Sequence, residues 1–138
     1  MAKIMLAAAL ALAACGKASD APATARSAQA ALPTMTVDQV DRAIASGACR
    51  AVDANADTTR RHEGVIPGAI LLTDSDSYAL SELPADKAKP LVFYCASSAC
   101  PSSHHAAEKA RLAGYTDVRV MPDGIAGWVT AGKKTQPI

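Results

Sequence analysis

Two cysteines of the chain lie in a stretch of small, polar residues, where a thiol can act as a nucleophile. Cys95 directly follows an apolar segment, residues 90–94, and Cys100 comes five residues later. Backbone N–H groups of such a loop can point inward at an anion, and the N-terminus of a following helix adds partial positive charge. Both effects lower the pKa of a thiol. The spacing alone leaves open that Cys95 is an inert residue closing a buried strand.

The loop that contains these cysteines has no lysine or arginine. Its small side chains let the backbone approach a bound anion closely, so the loop is a candidate substrate-binding segment. The candidate contact residues are Ala96, Ser97, Ser98, Ala99, Ser102 and Ser103.

The elements that must position the loop are predicted from the hydrophobic pattern. Strands are predicted over residues 49–53, 70–72, 90–95 and 118–120. Helices are predicted over about residues 104–113 and 125–131, with a loop or short helix over 54–64 and a short helix around 79–83. This alternation indicates an α/β fold with a mostly parallel sheet and helices on both faces. Reactive groups in such sheets lie at the carboxyl ends of strands, where Cys95 stands.

A further helix is predicted ahead of the first strand. Thr36 and Gln39 fit the capping box that begins a helix. Val37 and Val40 begin an apolar stripe, and Gly47 is a natural C-cap.

The first 14 residues have the pattern of a secretory signal. Lys3 precedes residues 4–14, which are apolar without a break. This stretch is too short to cross a bilayer, which needs roughly 20 apolar residues. It ends in Leu-Ala-Ala followed by Cys15, which resembles the lipobox of bacterial lipoproteins, whose cysteine is acylated.

The lipobox resemblance implies a signal peptide over residues 1–14 and a lipid-modified Cys15 facing the periplasm. Acyl chains on one residue anchor a protein without a spanning helix. Gly16 follows the cysteine where aspartate would favour retention at the inner membrane, so the outer membrane is favoured. Under the lipobox interpretation, residues 15–31 are the lipidated cysteine and a flexible tether, and residues 32–138 are the folded domain. The alternative is a plain signal peptide cut nearby, with Cys15 a spare thiol.

The composition gives no sign of a polyanionic partner. The 138 residues include 14 Lys and Arg and 13 Asp and Glu, for a formal net charge of +1. Nucleic-acid-binding proteins carry a basic excess. We therefore expect no nucleic-acid partner, and membrane contact through the lipid anchor only.

Several short motifs occur in an order that resembles the rhodanese-like domain family. In that family an acidic residue ends a strand, an Ile-Pro-Gly-Ala turn follows, a later strand ends in Tyr-Cys, and Gly-Tyr and Gly-Ile-x-x-Trp come after it. The matching segments are Asp53, residues 66–69, residues 93–95, residues 113–115, Val118 and residues 123–128. The resemblance covers about residues 33–138 and implies a rhodanese-like α/β fold with sulfurtransferase activity.

By this resemblance Cys95 is the nucleophile, which accepts a sulfane sulfur as a persulfide and passes it to a thiophilic acceptor. Asp53 would be an orienting group beside the loop, or merely a carboxylate at a strand end. The implied partners are a small sulfur donor and a thiol or cyanide-like acceptor. No organic cofactor and no metal are implied, and a monomer is favoured.

The chain departs from the common family pattern at several positions. Val65 replaces the usual histidine of the turn, and Asn55 stands where arginine often follows the acidic residue. The loop is longer than the common form and resembles a variant with the pattern Tyr-Cys-x4-Cys-x2-Ser. Since it lacks a basic residue to hold an anion, thiosulfate is not the expected donor. A phosphatase on this scaffold needs arginine six residues after the cysteine to grip phosphate, and that position is Pro101.

The second loop cysteine leaves alternatives open. Cys100 could resolve a persulfide on Cys95, cycle with it as a disulfide, or carry the sulfur itself. In a non-catalytic or redox module, the two thiols would hold a disulfide or, with His104 or His105, a soft metal. Cys49 is expected to point into the core as a small hydrophobic residue.

Overall fold

The computed structural model describes residues 30–138, in which short strands alternate with helices. The strands are β1 (Arg50–Asp53), β2 (Ile70–Leu71), β3 (Leu91–Tyr94) and β4 (Val118–Val120). The α-helices are α1 (Val37–Ala45), α2 (Asp57–Glu63), α3 (Ser102–Leu112) and α4 (Gly124–Thr130), and a 3-10 turn covers Leu80–Glu82.

The N-terminal predictions fall almost entirely outside the described part of the chain. The signal peptide, the lipidated Cys15 and all but the last two residues of the tether precede residue 30. They stay predictions. Within residues 30–138, no helix has the length and apolar character needed to cross a membrane.

The four strands form one parallel sheet in the order β2-β1-β3-β4. The apolar β3 lies inside the sheet, between β1 and β4, as its unbroken run of apolar residues predicts. The register pairs Asp53 with Tyr94, so the last residues of β1 and β3 lie side by side. The predicted α/β fold with a parallel sheet is confirmed.

Side chains of β3 alternate between two buried layers, because successive residues of a strand point to opposite faces. Leu91 and Phe93 belong to a cluster that includes Ala106, Ala107 and Ala110 of α3. Val92 and Tyr94 belong to a second cluster with residues of α1 and α4, among them Val40, Ile125 and Trp128. Helices therefore cover both faces of the sheet, and Cys49 is buried in the second cluster, as predicted.

The predicted capping box of α1 is confirmed. The Gln39 N–H donates to the Thr36 hydroxyl at 3.3 Å, and the Thr36 N–H donates to the Gln39 side chain at 2.8 Å. The C-cap residue is Ser46 rather than Gly47, which follows it with φ of 71°.

Helix α3 begins earlier than residue 104, where the sequence pattern placed its start. It covers Ser102–Leu112, because the carbonyl of Pro101 already accepts the N–H groups of His104 and His105, at 3.0 and 3.1 Å. Proline suits the start of a helix, since it has no N–H to leave unpaired. Ser102 and Ser103 therefore lie in the first turn of α3 and not in a flexible loop.

Candidate active site

Cys95 lies directly after β3, and its backbone is held by the start of α4. The Ile125 N–H donates to the Cys95 carbonyl at 2.8 Å, and the Ala126 N–H donates to the Ala96 carbonyl at 3.0 Å. The first N–H groups of a helix have no partner inside the helix, so these two bonds satisfy α4 and anchor the beginning of the loop together. We call residues 95–103, which include the first two residues of α3, the thiol loop.

The approach of α4 to the thiol loop requires glycine at position 124. Gly124 has φ of +61°, in the left-handed region that glycine adopts without steric cost. A Cβ atom there would lie 2.6 Å from the Cys95 carbonyl oxygen and 2.7 Å from the Ala96 carbonyl carbon. Any side chain at this position would push the loop backbone away.

The Cys95 thiol is enclosed by the loop that follows it. The residue is 1% exposed. Its S–H donates to the Cys100 carbonyl at 3.1 Å, and Sγ lies 3.4 Å from the Ser103 hydroxyl oxygen. Burial, together with the hydrogen bond to the Cys100 side chain, raises the Cys95 pKa above the ordinary value for a thiol, against the lowering effect of Ser103.

Cys100 has the opposite character. It is partly exposed, and burial raises its pKa, but hydrogen bonds to its sulfur outweigh this effect. The Cys95 thiol, the Ala96 N–H and the Ser102 hydroxyl and N–H all bond to the Cys100 sulfur, so its pKa is lowered. The loop thus stabilises a negative charge on the second cysteine rather than on the first.

The remaining candidate loop residues separate into two groups. Ser102 and Ser103 contact the thiols. Ala96, Ser97 and Ser98 line two open clefts on either side of the loop, while Ala99 is exposed. The structure therefore brings the serines of α3 to the sulfur atoms, and brings the small residues at the loop start to the solvent-facing clefts.

Carboxylates flank the thiol loop on both sides. One cleft, of about 430 Å³, lies between α2 and α4 and includes Glu63. The other, of about 510 Å³, includes Asp123 and also Asp38, whose carboxylate is paired with Lys133 Nζ at 3.0 Å. Among the described residues that line these clefts, none is lysine or arginine. An anionic substrate would therefore approach a surface of the same sign.

Asp53 is placed at the end of β1, away from direct contact with the thiols. The residue is fully buried, and one carboxylate oxygen accepts the Asn55 N–H at 2.7 Å and the Arg60 Nε at 3.1 Å. Its strand neighbour Tyr94 points to the face opposite Phe93 and Cys95. The structure does not bring Asp53 to Cys95, so its orienting role stays a prediction.

Arg60 holds the Asp53 carboxylate, and the sequence pattern did not single it out. The side chain is 5% exposed and donates to the Asp53 carboxylate, the Asp53 carbonyl and the Leu72 carbonyl, which joins α2 to the ends of β1 and β2. The sequence did contain an indication of Arg60. Asn55 stands where the family often has arginine, so a buried Asp53 carboxylate would need its cation from another position.

The described residues contain no group of three or more His, Cys, Asp or Glu side chains arranged to hold a metal ion. His104 and His105 are exposed on α3, and the His105 ring lies 3.3 Å from Asp76. The structure does not assemble the soft-metal site considered from the sequence.

Solved structures share this fold. A Rhodopseudomonas palustris protein of unknown function, described as a possible tyrosine phosphatase, is 25% identical with a TM-score of 0.63, covering 80% of this chain and 89% of its own. The rhodanese-like domain of Anabaena sp. Alr3790 is 22% identical with a TM-score of 0.64, covering 77% and 80%. The human single-domain sulfurtransferase TSTD1 is 22% identical with a TM-score of 0.57, covering 71% and 96%.

No curated protein matches the chain in sequence. The sequence profile of the rhodanese-like domain, however, matches residues 36–131, which include all four strands, all four helices and the thiol loop. The chain belongs to the rhodanese-like domain family.

Proposed function

We propose that this protein is a sulfurtransferase that carries sulfane sulfur as a persulfide on Cys95 and delivers it to a thiophilic acceptor. The observation that carries the proposal is the placement of the Cys95 sulfur at the end of β3, with the first turn of α3 against it through Ser103 at 3.4 Å. The likeness to a human protein named as a sulfurtransferase supports the same chemistry.

The proposed reaction is neutral in oxidation and reduction overall. The Cys95 thiolate attacks the outer sulfur of a donor R–S–SH, the bond between the two donor sulfurs breaks, and R–S⁻ leaves and takes up the proton lost by Cys95. An acceptor thiolate then attacks the outer sulfur of the Cys95 persulfide and regenerates the Cys95 thiolate. Ser103 is placed to donate a hydrogen bond to that thiolate.

The proposal is tested by mass spectrometry of the intact protein after incubation with a sulfane donor. We expect the gain of one sulfur atom on Cys95, its transfer to an added thiol, and, in Cys95→Ser, loss of the sulfur that stays bound after free donor is removed. Cys49→Ala is the matched control, because Cys49 is also buried but packs in the cluster on the other face of the sheet. A Cys95→Ser variant that still retains one transferable sulfur atom after free donor is removed would overturn the assignment of Cys95.

The proposed donor class is an uncharged or weakly charged persulfide rather than thiosulfate. Glu63 and Asp123 line the two clefts beside the loop, and a doubly charged thiosulfate would approach them at an electrostatic cost. We do not propose phosphatase activity, the class named for the Rhodopseudomonas relative, since Pro101 occupies the position required for a phosphate-binding arginine.

A second candidate function is a redox module in which Cys95 and Cys100 cycle between two thiols and a disulfide. The position of both cysteines in one loop, with the Cys95 Sγ 3.1 Å from the Cys100 carbonyl oxygen, favours it. The loss of two hydrogens on mild oxidation, without sulfur uptake from any sulfane donor, would support this function over the first.

We also propose that the domain acts in the cell envelope, attached through a lipid on Cys15. The support is the lipobox-like sequence Leu-Ala-Ala-Cys behind an apolar stretch. Expression in a bacterial host with an outer membrane should place the full chain in the outer-membrane fraction, and Cys15→Ala should release it. Recovery of the unchanged full chain as a soluble, unlipidated protein would contradict the anchor.

A further inference from the structure

We propose that sulfur enters and leaves this protein through Cys100, which relays it to and from the storage thiol Cys95. The proposal rests on the sulfurtransferase function above, and it assigns the direct attack on the donor to Cys100, from which Cys95 receives the sulfur. Its geometrical basis is the position of both cysteines in a single loop, where Cys95 is buried with its Sγ 3.1 Å from the Cys100 carbonyl oxygen and Cys100 is partly exposed.

Accessibility separates the two thiols. Cys95 is 1% exposed, and its sulfur is enclosed by the Cys100 carbonyl and the Ser103 hydroxyl. Cys100 is partly exposed. A small donor arriving from solvent therefore meets Cys100 before it can meet Cys95.

The polar groups around the two sulfur atoms favour negative charge on Cys100 more than on Cys95. The Ala96 N–H and both donors of Ser102 bond to the Cys100 sulfur, which lowers the pKa of Cys100. The Cys95 sulfur instead donates its proton to a carbonyl oxygen at 3.1 Å. Thiolates attack sulfane sulfur and thiols do not. The loop thus favours the thiolate form of Cys100 over that of Cys95.

The relay balances in two steps. The Cys100 thiolate attacks the outer sulfur of R–S–SH, which forms a Cys100 persulfide and releases R–S⁻, and R–S⁻ takes the proton of the Cys95 thiol. The Cys95 thiolate then attacks the outer sulfur of the Cys100 persulfide, which forms the enclosed Cys95 persulfide and restores the Cys100 thiolate. The same steps in reverse deliver sulfur to an acceptor thiol, and no oxidant or reductant is consumed.

The burial of Cys95 explains why the transfer from Cys100 to Cys95 is useful. A persulfide on the partly exposed Cys100 is open to any thiol in solution, whereas one on Cys95 is protected by the surrounding loop. We therefore expect the Cys100 persulfide to be short-lived and the Cys95 persulfide to persist after free donor is removed.

The test is a single-turnover loading experiment with cysteine persulfide as donor, followed by rapid alkylation and peptide mapping. Wild type, Cys100→Ser, Cys95→Ser and the control Cys49→Ala are compared. We expect Cys100→Ser to load Cys95 about tenfold or more slowly, since each unit of thiol pKa changes the thiolate fraction by up to tenfold. We expect Cys95→Ser to form the Cys100 persulfide at the wild-type rate but to lose it faster.

A pH series separates a lost relay from a damaged loop. The wild-type loading rate should rise with pH through the lowered pKa of Cys100 and then level off. In Cys100→Ser the midpoint should move upward, because the buried Cys95 must now lose its own proton. Wild-type loading by Cys100→Ser, or an unmoved midpoint, would overturn the relay and leave the sulfurtransferase intact. No sulfur uptake by wild type would overturn both proposals.

Discussion

Replacing Gly124 by alanine should damage the thiol loop without touching a sulfur atom. The new Cβ would lie 2.6 Å from the Cys95 carbonyl oxygen and 2.7 Å from the Ser97 nitrogen, closer than such atoms approach, so the loop backbone must move. Left-handed φ costs about 1–2 kcal/mol in a residue with a side chain, and overpacking costs about 1–3 kcal/mol. We expect the free energy of unfolding to fall by about 2–5 kcal/mol in total.

Gly132→Ala is the matched control for this change. Gly132 also has a left-handed φ, of +74°, but a Cβ atom there would meet nothing within 4 Å. It should cost only the conformational part, about 1–2 kcal/mol. Any additional loss in Gly124→Ala therefore measures the contact between α4 and the loop.

The assay is urea unfolding of both variants, with persulfide loading measured on the folded protein. Gly124→Ala should be the less stable variant and should load sulfur more slowly even when fully folded, while Gly132→Ala should load normally. Equal destabilisation and equal loading in the two variants would refute the reasoning, since the loop would then accommodate the methyl group freely.

Three further changes probe the charges around the site. Arg60→Leu leaves the buried Asp53 carboxylate without its cation, so the free energy of unfolding should fall by about 3–5 kcal/mol in urea, and the double variant with Asp53→Asn should recover part of it. Ser102→Ala removes a hydrogen bond to the Cys100 sulfur, so the Cys100 pKa should rise and the thiolate absorbance should titrate at higher pH. Asp123→Asn removes one cleft charge, and it should improve thiosulfate use by roughly twofold or more relative to an uncharged donor. An unchanged free energy of unfolding in Arg60→Leu, an unchanged thiolate titration in Ser102→Ala, or an unchanged donor preference in Asp123→Asn would contradict the corresponding expectation.

The fold was predictable from the sequence because its strongest signals are local. Residues 90–95 are apolar without a break, and Thr36 with Gln39 form a capping box from neighbouring residues alone. Ends of elements were less predictable. The start of α3 depends on hydrogen bonds to the carbonyl of Pro101, and the pattern of apolar residues does not reveal such backbone hydrogen bonds.

The sequence indicated which residues lie together in the candidate site, but not how the loop distributes charge between its two thiols. Cys95, Cys100 and Ser103 are recognisable by their spacing. The relative acidity of the two thiols depends on which N–H and O–H groups bond to each sulfur after the loop has folded. The partner of Asp53 likewise depends on α2 turning Arg60 inward across a separation of seven residues.

The hydrogen bonds of the thiol loop divide it into fixed ends and a replaceable middle. The carbonyls of Cys95 and Ala96 are tied to α4, and Ser103 belongs to the first turn of α3. Ser98 and Ala99, between these ties, are exposed. Side-chain exchanges at Ser98 and Ala99 need not disturb either helix or the backbone hydrogen bond from the Cys100 N–H to the Ser97 carbonyl, so donor selectivity can diverge there while the sheet and the position of Cys95 are kept.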